Sequence, residues 1–193
     1  MKPIPLIVAF CIAAFLYTNA AAIEVSGAKL DDRVTIGDQT LILNGAGGLT
    51  RAGTKMYVAA FYMRVRKKTL QEVSELTWWA KRITVTMLRD TSSDDLGESI
   101  VSGIRKNSTQ EETRRFGLQL TKIGEALSKF PKLRKGASLS LDWVPNRGTV
   151  VVVDGTAVCD PIPDEAFYEA ILKVWLGNEP VDVNLRNDML GRK

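Results

Sequence analysis

The chain has 193 residues, a formal net charge of +4 and no histidine. The lack of histidine removes the usual ligand of zinc and haem and the commonest general base near neutral pH. The sequence also has no metal-ligand spacing and no phosphate loop of the nucleotide-binding type, so we expect no metal and no cofactor.

The first 22 residues have the pattern of a signal peptide. Lys2 gives a minimal positive start, and the apolar run from Ile4 to Tyr17 is shorter than the roughly 20 residues that span a bilayer. Small residues follow at 20–22, as a signal peptidase requires. We therefore expect residues 1–22 to be cleaved, residues 23–193 to form one domain, and the protein to be periplasmic or secreted. An uncleaved anchor is the alternative.

Positive residues cluster between residues 105 and 135. Glutamates interrupt this run and its apolar residues have helical spacing, which favours a solvated helix face. A weak contact with an anionic membrane surface is the alternative. Nucleic acid is not expected as the partner of an exported chain, and the sequence does not indicate an oligomeric state.

The N-terminal part of the expected domain reads as strand. Residues 34–36 and 39–44 flank a predicted tight turn at Gly37-Asp38. The glycines at positions 45, 47, 48 and 53 predict a glycine-rich turn, with Arg51 near the start of the strand that follows it. That strand is predicted from about residue 54 to residue 65, and its small side chains indicate cover on both faces.

The middle of the chain alternates one strand with helices. A short helix is predicted over residues 69–76 and a half-buried strand over residues 81–89. The pair Trp78-Trp79 between them is interpreted as core with one half-exposed ring, or alternatively as a lipid-facing pair. Ser92 or Ser93 is predicted to cap one helix, and the capping-box pattern at 108–111 to open a second, longer one.

The last third predicts a β-meander followed by two helices. The meander covers residues 139–159, with turns at 145–148 and 154–155, and the helices cover about 164–176 and 180–190. Strands, then helices, then strands, then helices predict an α+β fold. In this fold a large antiparallel sheet carries its helical layer on one face.

Two segments resemble a known family. Asn44-Gly-Ala-Gly with Lys55-Met-Tyr-Val-Ala-Ala-Phe-Tyr-Met63 looks like the glycine turn and core strand of chalcone isomerase-like proteins. The segment from Phe167 to Asp182, with Leu190-Gly191 after it, resembles the C-terminal helix pair of their bacterial secreted branch. The resemblance implies an open-faced β-sandwich with a cleft between the large sheet and the helices.

The resemblance also implies two kinds of function. Plant members of the family close the flavanone ring by an intramolecular addition, and related plastid members bind fatty acids through an arginine and a tyrosine. The arginine that usually follows the Gly-Ala-Gly aligns with Leu49, and Arg51 lies two residues further on. The threonine of the enzymes aligns with Tyr57, whereas their tyrosine and asparagine fall near Leu96 and Gly103.

We therefore expect a non-catalytic binder of a small amphipathic carboxylate, such as a fatty acid. The expected ligand-binding residues are Arg51, Tyr57 and Tyr62, together with Asn184, which with Asp182 lies where the enzymes have a hydroxyl residue near the C-terminus. No catalytic residue is assigned. An isomerase of the intramolecular lyase type and a protein-interaction scaffold are the alternatives, and Arg51 could instead be a surface residue paired with an acidic neighbour such as Asp38.

Overall fold

The computed structural model describes residues 22–192, so residues 1–21 of the predicted signal peptide lie outside the described residues. The strands are β1 (Ala22–Val25), β2 (Ala28–Asp31), β3 (Arg33–Ile36), β4 (Gln39–Arg51), β5 (Thr54–Met63), β6 (Lys81–Met87), β7 (Thr91–Ser92), β8 (Lys132–Leu133), β9 (Ser138–Val144), β10 (Gly148–Val153) and β11 (Thr156–Ala157). The helices are α1 (Leu70–Ser74), α2 (Ser93–Lys106), α3 (Gln110–Arg115), α4 (Gly117–Ser128), α5 (Glu165–Leu176) and α6 (Val183–Met189).

Seven of the strands form one antiparallel sheet in the order β11-β10-β9-β6-β5-β4-β3. Strands β1 and β2 form a separate hairpin, and β7 pairs with β8. The helices pack on one face of the large sheet, with α2 against α4 and α5, and α6 against β4. The expected α+β architecture, an open-faced sandwich with helices on one face, is therefore confirmed.

The two faces of the sheet bury two separate cores. Along β5, Tyr57, Ala59 and Phe61 point into the core below the helices. The alternate residues, Val58 and Tyr62 among them, point into a smaller core beneath the β1–β2 hairpin. This alternation follows from the two-residue period of a strand, and it explains why almost the whole of β5 is apolar.

The prediction of a glycine-rich turn holds for Gly53 and is wrong for Gly45, Gly47 and Gly48. These last three glycines lie inside the continuous strand β4, and the chain turns instead at Ala52 and Gly53, both of which have positive φ. A Cβ atom at Gly45 would lie 2.1 Å from the carbonyl oxygen of Asp188 at the end of α6. The missing side chain therefore lets the backbone of α6 lie directly on the strand.

A bulge at Asn44 secures this contact. The register of β4 against β5 shifts between Leu43 and Gly45. The side-chain amide of Asn44 donates to the carbonyl oxygens of Lys67, at 3.0 Å, and Met189, at 2.8 Å. One side chain thus joins the sheet to the C-terminal helix and to the loop after β5.

The middle helices differ from the prediction in two respects. Ser92 caps α2 as expected. The capping box that opens α3 is formed by Thr109 and Glu112, one residue later than the pattern at 108–111. The single long helix predicted after it is divided at Phe116 into α3 and α4, because Phe116 turns its buried ring into the core against Phe167. Within the described residues, no helix is both long enough and apolar enough to cross a bilayer.

Candidate anion-binding site

Arg51 lies at the end of β4, beside the loop that joins α5 to α6. Its Nη2 donates a hydrogen bond of 2.7 Å to the carbonyl oxygen of Val181. It also lines a pocket of about 220 Å³ between this loop and α2. The other lining residues are Ser99, Ser102, Gly103, Lys106, Glu179, Pro180 and Val181.

The loop that forms the outer wall of the pocket is held by Asn107. The side-chain amide of Asn107 donates to the carbonyl oxygens of Gly103, at 3.0 Å, and Glu179, at 2.8 Å. Its oxygen accepts a bond of 3.0 Å from the backbone N–H of Glu179. Gly177 can approach this amide closely because it has no side chain. The wall is therefore tied to α2 and does not depend on a ligand for its position.

The charges at the pocket favour an anion. Arg51 and Lys106 supply two cations, and Glu179 supplies one carboxylate. Arg51 forms no ion pair with any residue in the range 22–192, so the pairing with Asp38 that we considered is not observed. A guanidinium has five N–H donors, and the bond to Val181 occupies only one of them. The others can bind a carboxylate in the bidentate geometry that arginine favours.

Tyr57 lies in the core on the side of the sheet that faces the helices. Its hydroxyl oxygen accepts a hydrogen bond of 3.2 Å from the indole Nε1 of Trp175 on α5. Burial raises the pKa of Tyr57 to about 12, although the Trp175 bond and the positive charge of Arg51 both oppose that rise. Tyr57 is therefore a neutral phenol at neutral pH. Its proton can be donated to a ligand, because its oxygen already accepts from Trp175.

The structure separates the other two predicted binding residues from this pocket. Tyr62 faces the opposite core and donates a 3.1 Å bond to the carbonyl oxygen of Asp31. Asn184 is exposed in the first turn of α6 and does not line the Arg51 pocket. Tyr57 does not line the Arg51 pocket either, although the positive charge of Arg51 acts on its hydroxyl. Arg51 is therefore the one residue of the four predicted that lines this pocket in the described structure.

Two residues that the sequence did not single out also belong to the site. Lys106 was seen only as part of the basic cluster, and Trp175 only as one residue of an apolar helix face. The pairing of Trp175 with Tyr57 spans 118 residues. Only the family resemblance could have indicated this pairing, because the family's fold packs the helical layer against the large sheet.

Leu96 and Gly103 are the positions that the resemblance aligned near the enzymes' tyrosine and asparagine, and neither carries a hydroxyl or an amide side chain. Leu96 is buried in the core below the helices. Gly103 lies where a Cβ atom would come within 2.7 Å of Val174 Cγ1, so it allows α2 and α5 to pack closely. Residues 22–192 also contain no group of three or more His, Cys, Asp or Glu side chains arranged to hold a metal.

The fold is an open-faced β-sandwich, and Arg51 and Lys106 line one pocket between α2 and the loop that joins α5 to α6. Residues 22–191 match the sequence model of the family described as chalcone isomerase-like, and the chain belongs to that family. No curated protein matches the chain.

A solved structure supports the fold independently. The crystal structure of a fatty-acid binding protein from Arabidopsis thaliana is similar to this chain, with a TM-score of 0.65 and 16% sequence identity. The similarity covers 88% of this chain and 96% of the Arabidopsis chain.

Proposed function

We propose that this protein is an exported, non-catalytic binder of a small amphipathic carboxylate such as a fatty acid. The observation that carries the proposal is the placement of Arg51 and Lys106 at one pocket, with the buried hydroxyl of Tyr57 within electrostatic range of Arg51. A cation pair and a phenolic donor form the combination that binds a carboxylate. The similarity to a fatty-acid binding protein supports the same class of ligand.

The packing below the pocket bears on the length of the ligand. Leu49 and Met87, which pair with Tyr57 across the sheet, and Trp175, which bonds its hydroxyl, are each at most 4% exposed, so this core is filled by side chains. A carboxylate with a short tail fits the pocket of about 220 Å³. A longer tail enters between the sheet and the helices only when α2 moves outward, which costs apolar contacts. Each methylene added to the ligand is therefore expected to increase the affinity by less than full burial of a methylene group, which contributes about 0.8 kcal/mol.

The proposal of export depends on the N-terminal sequence. The pattern of residues 1–22 and the resemblance of the C-terminal helix pair to the bacterial secreted branch of the family support the proposal of export. An intact mass of the protein recovered from the periplasm or medium tests this point. A mature chain that begins at Ile23 supports export with cleavage, and a chain that retains residues 1–22 supports the uncleaved anchor. A protein found only inside the cell contradicts export.

Native mass spectrometry after gentle extraction tests the binding function. We expect a retained carboxylic acid, and we expect Arg51→Ala to weaken its binding about tenfold to a hundredfold, the loss typical of a charge-assisted hydrogen bond. Tyr57→Phe should weaken it less. Arg105→Ala is the matched control, because Arg105 is exposed one residue before Lys106 and lines a different pocket.

Two results would refute the proposal. An empty protein that also takes up no fatty acid on titration would exclude a binder of this class. Equal retention by wild type and Arg51→Ala would exclude the site. Turnover of a chalcone panel that is lost in Arg51→Ala or Tyr57→Phe would instead favour the isomerase.

A further inference from the structure

An exposed basic segment follows β5 directly. Residues 64–68 read Arg-Val-Arg-Lys-Lys, and the side chains of Arg64, Val65, Arg66 and Lys68 are exposed. This segment lies outside the basic cluster at residues 105–135 that the sequence had indicated as a possible membrane contact. The binding pocket described above does not include it.

A tryptophan pair adjoins the basic segment. Trp78 is 81% exposed, and no other large apolar side chain in residues 22–192 is more exposed. Its neighbour Trp79 is half-buried, and the guanidinium carbon of Arg64 lies 5.2 Å from the centroid of a Trp79 ring. This contact joins the two loops into one surface. We call Arg64, Arg66, Lys67, Lys68, Trp78 and Trp79 together the Trp78 surface.

The Trp78 surface is held in place by the body of the fold. Arg66 Nε donates a 3.2 Å bond to the carbonyl oxygen of Leu43, and the backbone of Lys67 bonds the side chain of Asn44 in both directions. Arg192 Nε donates to the carbonyl oxygen of Lys68 and brings a further cation to the segment. The basic segment is therefore displayed at a fixed position, and binding does not have to order it.

The acidic residues of this region do not cancel its charge. Glu72 and Glu75 are the acidic residues within residues 64–79. The carboxylate of Glu72 accepts the backbone N–H groups of Lys68 and Thr69 at the start of α1, so it is turned inward to the cap. With Arg192 counted, five cations stand against two carboxylates.

We propose that the Trp78 surface docks the protein on an anionic lipid bilayer. An exposed indole has an apolar body and a polar N–H, which suits the interface between head groups and acyl chains. Basic side chains beside it are attracted to the negative surface potential of anionic lipids. A nucleic acid or an acidic protein would be attracted to the cations as well, but an indole that is 81% exposed beside basic side chains is the arrangement of an interfacial anchor. The charge and the indole together favour the bilayer.

Vesicle flotation tests the proposal. The protein and its variants are purified from the same host, so all of them have the same N-terminus. Any contribution of residues 1–22 to vesicle binding is therefore equal in all of them. Vesicles of phosphatidylcholine alone are compared with vesicles of equal parts phosphatidylcholine and phosphatidylglycerol. We expect binding to the mixed vesicles and little binding to the neutral ones. Vesicles with brominated acyl chains should quench the fluorescence of the bound protein, and Trp78→Phe should abolish most of that quenching.

Matched variants locate the surface. Trp78→Ser should reduce partitioning about tenfold, because most of the burial of one aromatic side chain is lost. Its control is Leu118→Ser, since Leu118 is 80% exposed on α4, away from the Trp78 surface. Lys67→Gln combined with Lys68→Gln should reduce partitioning about fivefold for each cation. Its control is Arg114→Gln combined with Lys122→Gln, which removes two exposed cations from α3 and α4.

Each of the other outcomes would overturn the proposal. The protein would have no membrane surface if it floated with neither kind of vesicle. Loss of binding in the α3–α4 control, with Trp78→Ser unaffected, would place the contact on the basic helix face instead. Equal binding to neutral vesicles would remove the role of the cations. Circular dichroism of each variant separates these outcomes from unfolding, and Trp78 is exposed enough for its substitution to leave the core intact.

Discussion

Substitution of Gly45 by alanine tests the account of how β4 and α6 fit together. The added Cβ atom would lie 2.1 Å from the carbonyl oxygen of Asp188 and 2.8 Å from that of Met189. Both are backbone atoms, so no side-chain rotation relieves the clash and α6 itself must move away. Overpacking of this kind costs about 1–3 kcal/mol. Displacement of α6 also breaks the Asn44 bond to Met189, which adds about 1 kcal/mol. We expect the free energy of unfolding to fall by about 2–4 kcal/mol.

Urea denaturation followed by circular dichroism measures this loss. The control is Gly124→Ala, because no atom lies within 4 Å of a Cβ atom built at Gly124 in the middle of α4. That variant should be more stable by up to about 1 kcal/mol, since alanine favours a helix over glycine. If Gly45→Ala were as stable as wild type, the close approach of α6 to the glycines of β4 would be wrong.

Three further predictions concern polar side chains that are buried or half-buried. The folded protein holds the Tyr57 proton up to a pKa of about 12, whereas the unfolded chain releases it near 10.0. The unfolding free energy of wild type should therefore fall relative to that of Tyr57→Phe as pH rises across this window, by up to about 1.4 kcal/mol per pH unit. A difference that does not change with pH would contradict burial of the hydroxyl. Lys81 Nζ is fully buried and lies 3.6 Å from Glu169 Oε1. Replacing the pair by Lys81→Met with Glu169→Gln should leave the stability in thermal unfolding unchanged or raise it by up to about 4 kcal/mol. A clear loss of stability in that double variant would show that the pair stabilises the fold. Asn107→Ala removes the bonds that hold the pocket wall at Glu179, so it should lower the free energy of unfolding by about 1–3 kcal/mol and weaken carboxylate binding on titration. Unchanged affinity would show that the wall does not need this amide.

Local patterns in the sequence were enough to predict most of the elements. The alternation of Ile83, Val85 and Met87 with polar residues defined β6, and all three are buried. The same pattern did not reveal that Lys81 shares their face and is fully buried near Glu169, because a lysine at the start of a strand is usually solvated. Burial of this residue depends on α5, which follows it by more than eighty residues.

The error at the glycines of β4 has a physical cause. Glycine permits a turn, and it also permits another backbone to approach a strand closely. The two uses look alike in sequence. What decides between them is the contact of Asn44 with Met189, across 145 residues of chain. The true turn at Ala52 and Gly53 contains only the last of the four glycines on which the prediction rested.

The candidate site was predicted in part. Arg51 was indicated because an extended strand places it on the same side as Leu49, and its side chain does reach the helical layer. Tyr57 followed from the family alignment. Tyr62 lies five residues after Tyr57, and an odd separation in a strand puts two side chains on opposite faces. Strand periodicity alone could therefore have separated these two tyrosines. Lys106 and Trp175 depend on tertiary contacts that no local pattern shows.

The ionisation of a bound carboxylate tests the central claim most directly. Dodecanoate labelled at its carboxyl carbon with an NMR-active isotope is added to the protein, and the chemical shift of that carbon is followed against pH. With Arg51 and Lys106 at the head group, the bound carboxyl should have a pKa below that of the free acid, and Arg51→Ala should raise it towards the free value. A bound carboxyl whose pKa is raised, or is the same in wild type and Arg51→Ala, would contradict the account.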